Sequence, residues 1–278
     1  MSPTAIEKAQ DIPRRAAKSS WVDGIARYGL VAKGVSYALV GVLAAALAID
    51  SGGKATSREG ALATVADESW GTVLLVALAL GFAAYGLWRL LQAIFDREDE
   101  GSGLKGLAKR GGYLGRAVIY AILTYSTVRL LMGSGGGESQ TGEARRAAAH
   151  VLDWPAGRWL VGLAGICLIG AGVFNGYRAF TQKFEEKWKT GEMSRAERRW
   201  GSRIGTAGLL SRLVVFSLIG IFLLKAAIEY DPQEAIGLDG VLQKVVQAAY
   251  GPWLLGLVAA GLICYGIFCF VEARYRRV

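Results

Sequence analysis

The stretch GLVAKGVSYALVG, residues 29–41, sets a lysine inside what otherwise reads as a membrane-spanning helix, and it recurs twice. Shifting the chain by 83 and then by 96 residues lays it over GYLGRAVIYAILT, residues 112–124, and over GLLSRLVVFSLIG, residues 208–220. Position by position this aligns Gly29, Gly112 and Gly208; Lys33, Arg116 and Arg212; Tyr37, Tyr120 and Phe216; and Gly41, Thr124 and Gly220. Because these positions recur every four residues, they form one stripe of a helix. The small residues of the stripe (Gly29, Gly41, Gly112, Gly208, Gly220) predict close helix approach, with Tyr37, Tyr120 and Phe216 filling the seam.

A second alignment lies downstream of each copy. WGTVLLVALALGFAAYGLWRLLQA (70–93) resembles AGRWLVGLAGICLIGAGVFNGYRA (156–179) and YGPWLLGLVAAGLICYGIFCFVEA (250–273), which superposes Gly86, Gly172 and Gly266. The chain thus reads as one helical pair written three times: 24–98, 107–182 and 203–278, behind a polar arm of residues 1–23. Six windows, 28–49, 70–95, 113–132, 159–180, 209–228 and 252–275, each approach or exceed the ~20 apolar residues that cross a bilayer. They are continuously apolar, without the alternation of a barrel strand, so the fold class is all-α. The composition agrees: of 278 residues, 53% are hydrophobic.

Between the two spans of each repeat lies a short piece with mixed faces: SREGALATVA, TGEARRAAAHVL and LDGVLQKVVQAAY. Each is too short to cross and suits a helix lying in the interface, beside Trp70, Trp159 or Trp253. A repeat with two crossings enters the membrane in the same sense every time. The expectation is three parallel hairpins in a pseudo-threefold bundle rather than the inverted repeats of many transporters.

Lys and Arg place the ends. The N-terminal arm, the second and fourth connections and the C-terminal end hold nineteen, and the other three connections hold six. By the positive-inside rule both termini are expected on the cytoplasmic side. The outer connections carry eleven acidic residues, so the net charge of +9 is distributed asymmetrically. A basic inner face attracts anionic lipid, at about 1 kcal/mol per residue near the surface. Nucleic acid is not an expected partner, because KFEEKWKTGEMSRAERR (183–199) interleaves acids with bases as a solvated juxtamembrane helix does. Within it Ser194 and Glu197 have capping-box spacing, which predicts a short helix leading into the fifth span. A membrane-protein partner or a second copy of the chain stays open.

Lys33, Arg116 and Arg212 lie near the cytoplasmic ends of their spans, where snorkelling to water or lipid phosphate accounts for them. The alternative is an anion or lipid-headgroup site, in which Arg178 joins them. If each hairpin pairs its own ends, Glu272 neutralises Arg212 and Gln92 bonds Lys33. In the middle repeat Arg116 and Arg178 would meet as like charges unless an anion intervenes. Cys167, Cys264 and Cys269 show no paired spacing and read as buried small apolar side chains.

The repeats resemble the bacterial membrane family known as the domain of unknown function 1206 family, whose members carry three copies of a two-span unit. The resemblance covers about residues 24–278 and rests on the aligned small and basic positions with the YGLW (85–88) and YGIF (265–268) stretches; the second copy departs to AGVF (171–174). It implies the architecture and no activity. No Walker loop, GxSxG elbow, HExxH or paired CxxC occurs, and His150 is the single histidine. No cofactor or metal is expected. With Glu272 the one carboxylate in the spans, proton-coupled transport is disfavoured. Three functions remain: a non-catalytic scaffold or accessory component binding anionic lipid at its cytoplasmic face, a channel or facilitator along the pseudo-threefold axis, and a lipid-modifying enzyme. The scaffold reading leads, because the polar residues at mid-depth, Ser36, Thr124, Ser126 and Ser217, do not fall on equivalent positions as a conducting path requires.

Overall fold

The computed structural model describes residues 20–49, 58–66, 68, 70–95, 103–133 and 139–277. The arm through residue 19 lies outside them. The described residues are helical almost throughout and contain no strand; one isolated antiparallel bridge joins Trp188 and Arg276. Helices run over Ser20–Ala48 (α1), Arg58–Ala66 (α2), Gly71–Phe95 (α3), Leu104–Leu131 (α4), Gln140–Leu152 (α5), Gly157–Thr181 (α6), Arg195–Glu229 (α7), Leu238–Val246 (α8) and Gly251–Tyr275 (α9). Of these, α1, α3, α4, α6, α7 and α9 are long and apolar enough to cross a membrane. The short pieces between spans are the helices α2, α5 and α8, as their mixed faces require.

Two compact units divide the chain, one from Met1–Lys33 and Ser69–Gly135 with Val278, the other from Gly34–Glu68 and Gly136–Arg277. In the first, the N-terminal half of α1 packs on α3, and α3 packs on α4. A Cβ built on Gly29 would lie 2.6–2.7 Å from the Tyr85 backbone and Cβ, so only glycine permits this approach. Arg110 of α4 donates to the C-terminal carbonyls of α3, at Ala93 (2.7 Å) and Ile94 (3.1 Å), which helix geometry leaves without partners.

In the second unit α7 is the central post, packing on α6 and on α9. The sequence predicts a short helix before the fifth span; the structure has a single helix of 35 residues. At 1.5 Å per residue it is about 52 Å long, against a hydrocarbon core of about 30 Å, so its first turns project beyond the apolar section. The capping box is present: Ser194 Oγ accepts from the Glu197 N–H at 3.2 Å, and Glu197 Oε2 accepts from the Ser194 N–H at 2.8 Å. No proline interrupts the helix between Arg195 and Glu229, and the space beside Gly205 is filled by the rings of Phe268 and Phe184. That packing offsets the ~1 kcal/mol that glycine costs a helix relative to alanine.

The connection 182–194 departs from the solvated helix expected of it. It makes two short 3₁₀ turns, Glu185–Lys187 and Thr190–Glu192, and buries Phe184 and Trp188 against Phe268 of α9. Two backbone bonds strap it to the C-terminal end, Lys189 N–H to Tyr275 O and Arg277 N–H to Lys187 O, each 2.8 Å.

α5 and α8 cap each other. Asp239 of α8, buried, accepts from the Thr141 N–H (3.1 Å) and hydroxyl (2.8 Å). In return Thr141 Oγ1 accepts from the Gly240 N–H and Gln140 Oε1 from the Leu238 N–H. Each helix start supplies acceptors for the other's orphan donors.

Candidate functional site

In the first unit two buried cations, Lys33 and Arg89, meet at Tyr85. Lys33 Nζ stands 5.4 Å from the centre of that ring. Arg89, one turn after Tyr85 on α3, donates to its hydroxyl from Nε (3.0 Å) and Nη2 (2.7 Å) and gives Nη1 to Gln92 Oε1 at 2.7 Å. Its guanidinium also lies 4.2 Å from the Trp88 ring centre and 5.6 Å from that of Tyr113. Lys33, Arg89 and Gln92 are all buried. Tyr120 of α4 closes the side, 4.3 Å from Tyr85 centre to centre. The lysine that sequence reasoning sends snorkelling outward is thus covered by protein, where a desolvated cation over an aromatic face gains ~2 kcal/mol.

An equivalent cluster stands in the second unit around Tyr265, the repeat partner of Tyr85. Gly208 meets the Tyr265 backbone as Gly29 meets that of Tyr85, with a built Cβ 2.6 Å from Tyr265 Cα. Arg212 Nη1 donates a short hydrogen bond to the Tyr265 hydroxyl, and its guanidinium lies 4.5–5.6 Å from the ring centres of Phe216, Tyr265 and Tyr37. Tyr37 meets Tyr265 edge-on at 4.7 Å. Two independent copies therefore convert the same aligned residues into one device: glycine against tyrosine backbone, cation against tyrosine ring.

In the middle copy Ala171 stands where the other two have tyrosine, so the ring and hydroxyl of the device are missing there; Arg116 of α4 is exposed. Arg178 is half-buried on α6. The remaining stripe glycines seat other helices. Gly41 abuts α9 at Ile263, and Gly220 abuts α6 at Gly165 and Ile169. Glu272 takes Arg276, one turn later on the same stretch of chain, at 3.1 Å with both side chains buried. The cysteines differ in environment: Cys269 is buried, Cys264 half-buried and Cys167 exposed on a side of α6 that the sequence offered no means of recognising.

Tyr85, Arg89 and Tyr265 were not singled out as site residues by sequence reasoning. The signal lay in the tyrosine of YGLW and YGIF, which precedes the aligned glycine by one residue and so falls opposite the stripe of the partner helix.

The projecting start of α7 and the connection before it form a groove of about 450 Å³ lined by Gln182, Glu185, Arg195, Arg198, Arg199, Ser202 and Arg203. Arg198 donates from Nε and Nη2 to Glu185 Oε2, both at 2.8 Å. On the opposite side of this turn the Tyr275 hydroxyl donates to Glu197 Oε1 at 2.6 Å. Together with the Ser194 N–H and hydroxyl it holds the Glu197 carboxyl at about 2, far below its ordinary 4.5. Among the described residues no group of three or more His, Cys, Asp or Glu is placed to hold a metal.

Six apolar helices, buried cations held by tyrosine and a basic projecting turn define a multi-pass helical membrane protein built from a repeated pair. It belongs to the family described as Domain of Unknown Function (DUF1206), which matches residues 28–96, 111–182 and 207–276, one match per repeat. The chain is 32% identical over 259 residues to the uncharacterized protein YxxB of Bacillus subtilis (strain 168), spanning 93% of this chain and 92% of that one. No solved structure matches it.

Proposed function

We propose that the protein is a non-catalytic scaffold or accessory component of the bacterial plasma membrane, with both termini cytoplasmic and anionic lipid bound along its cytoplasmic side. The observation that carries this reading is the use made of the span cations. Lys33, Arg89 and Arg212 are engaged by tyrosine rings and hydroxyls inside helix seams, as ties of the fold rather than as a polar lining. A conducting or catalytic role asks such groups to face a water-filled path or a substrate.

The basic residues outside the spans have the opposite character. Arg195, Arg199 and Arg203 are exposed and recur every four residues along one face of α7 ahead of its apolar section, at the level where headgroups lie. The pseudo-threefold arrangement of parallel hairpins belongs to the same proposal. Supporting it, Gly86, Gly172 and Gly266 each seat against the equivalent turn of a first helix: Ala117, Leu213 and Gly34.

Reconstitution tests the reading. Proteoliposomes should show no ion or small-solute flux above empty vesicles, and vesicles with ~30% anionic lipid should raise the thermal midpoint relative to phosphatidylcholine alone, as a ligand that binds the folded state does. Selective, saturable flux would replace the scaffold with a channel.

A further inference from the structure

We infer that the groove at the start of α7 is a phosphate-binding site, with Ser202, Arg199, Arg195 and Arg203 as its donors. The inference rests on the lipid-binding reading and gives it a location and a chemistry.

Two independent observations meet there. The first is charge: four arginines line the groove against one carboxylate, Glu185, and that carboxylate is engaged by Arg198. Among the described residues no ion pair is formed by Arg195, Arg199 or Arg203. The spacing 195, 199, 203 puts all three arginines on one face of the helix, along about 12 Å of its axis, and all three line the groove. Arg203 is further steadied by the Trp200 ring, 5.5 Å from its guanidinium carbon.

The second is a buried hydroxyl with nothing to bond. Ser202 retains 7% of its surface, and its Oγ has no hydrogen-bond partner. A buried polar atom left in that state costs about 1–3 kcal/mol, so an acceptor is called for. It lines the groove that the arginines surround. A hydroxyl donor beside several guanidinium groups matches a tetrahedral oxyanion, whose oxygens accept from both kinds of donor. The capping box occupies the Ser194 and Glu197 amides, and the donors of the site are side chains further along the helix.

Location favours a lipid source for the phosphate. Ser202 lies seven residues before Leu209, where the apolar section begins, which is about 10 Å along the helix axis and close to the headgroup layer. Free phosphate shares the chemistry, and the experiment separates the two.

Full-length protein is measured by native mass spectrometry with phosphatidic acid against phosphatidylcholine, and by calorimetric titration with inorganic phosphate. Wild type, Ser202→Ala and Arg199→Gln are compared, each variant checked for unchanged helicity and elution. Arg199 is exposed, so its replacement leaves the fold intact even if Ser202→Ala does not. The expected result is preferential retention of phosphatidic acid by wild type, weakened about tenfold or more in each variant, the loss of one hydrogen bond to a charged group. Tight binding of inorganic phosphate, lost in the same variants while phosphatidic acid shows no preference, would uphold the site and transfer it from lipid to a soluble anion, overturning the lipid reading. Undiminished phosphatidic acid retention in both variants would overturn the groove while leaving lipid binding elsewhere intact. Absence of any preference for either ligand in wild type overturns both.

Discussion

Gly208→Ala should destabilise the protein through one close helix approach. At Gly208 the added methyl falls 2.6 Å from Tyr265 Cα, 2.7 Å from its nitrogen and 2.9 Å from its Cβ, all atoms that no rotamer change can remove. Ordinary contact begins near 3.4 Å, so α7 and α9 must part by most of an ångström. Overpacking of this kind costs about 1–3 kcal/mol, and the better helix propensity of alanine returns up to ~1 kcal/mol. The net loss of about 1–2 kcal/mol corresponds to a fall in thermal midpoint of roughly 2–8 °C for a chain of this size. Thermal unfolding in one detergent, followed by tryptophan fluorescence, measures it. An unchanged or raised midpoint would refute the argument that α7 is seated on α9 through glycine.

Tyr265→Phe takes from Arg212 the hydroxyl that accepts its Nη1, and the midpoint should fall by the equivalent of about 1–2 kcal/mol, read in the same melts. Asp239→Ala removes the acceptor shared by the Thr141 amide and hydroxyl; a loss of about 1–2 kcal/mol is expected, with proteolysis at the start of α5 rising as the cap is lost. Glu197 has a folded value of about 2, below its ordinary 4.5, so its contact with Tyr275 favours the fold at neutral pH and that benefit disappears as the pH falls from about 4.5 towards 2. Glu197→Gln should therefore flatten the acid limb of a plot of midpoint against pH, and an unchanged limb would show that another group governs it.

Much of the fold was legible because a membrane helix writes its length and its contact stripe directly into sequence. The aligned Gly29 and Gly208, four residues before a cation, announced close approach, and both seat on a tyrosine backbone. The capping box of Ser194 and Glu197 likewise appears as spaced. What failed to show was which partner each stripe meets. Lys33 looks free to snorkel until α3 supplies Tyr85, and that depends on a neighbour 52 residues away rather than on local periodicity. The aromatic residues of KFEEKWK were masked by the surrounding charge. Phe184 and Trp188 are four apart and so could form a helix face, yet they bury through a 3₁₀ turn pinned by the C-terminal backbone. The mutual capping of α5 and α8 was illegible for the same reason, since Thr141 and Asp239 are 98 residues apart.

Every repeat should present its basic connection to the same side of the membrane, and substituted-cysteine labelling reads that out. In a background with Cys167, Cys264 and Cys269 replaced, Gly103→Cys and Gly191→Cys should react with a membrane-impermeant maleimide only after the cells are opened, whereas Asp153→Cys and Gln247→Cys should react in intact cells. Labelling of either glycine position in intact cells, or protection of Asp153→Cys or Gln247→Cys there, would contradict the account.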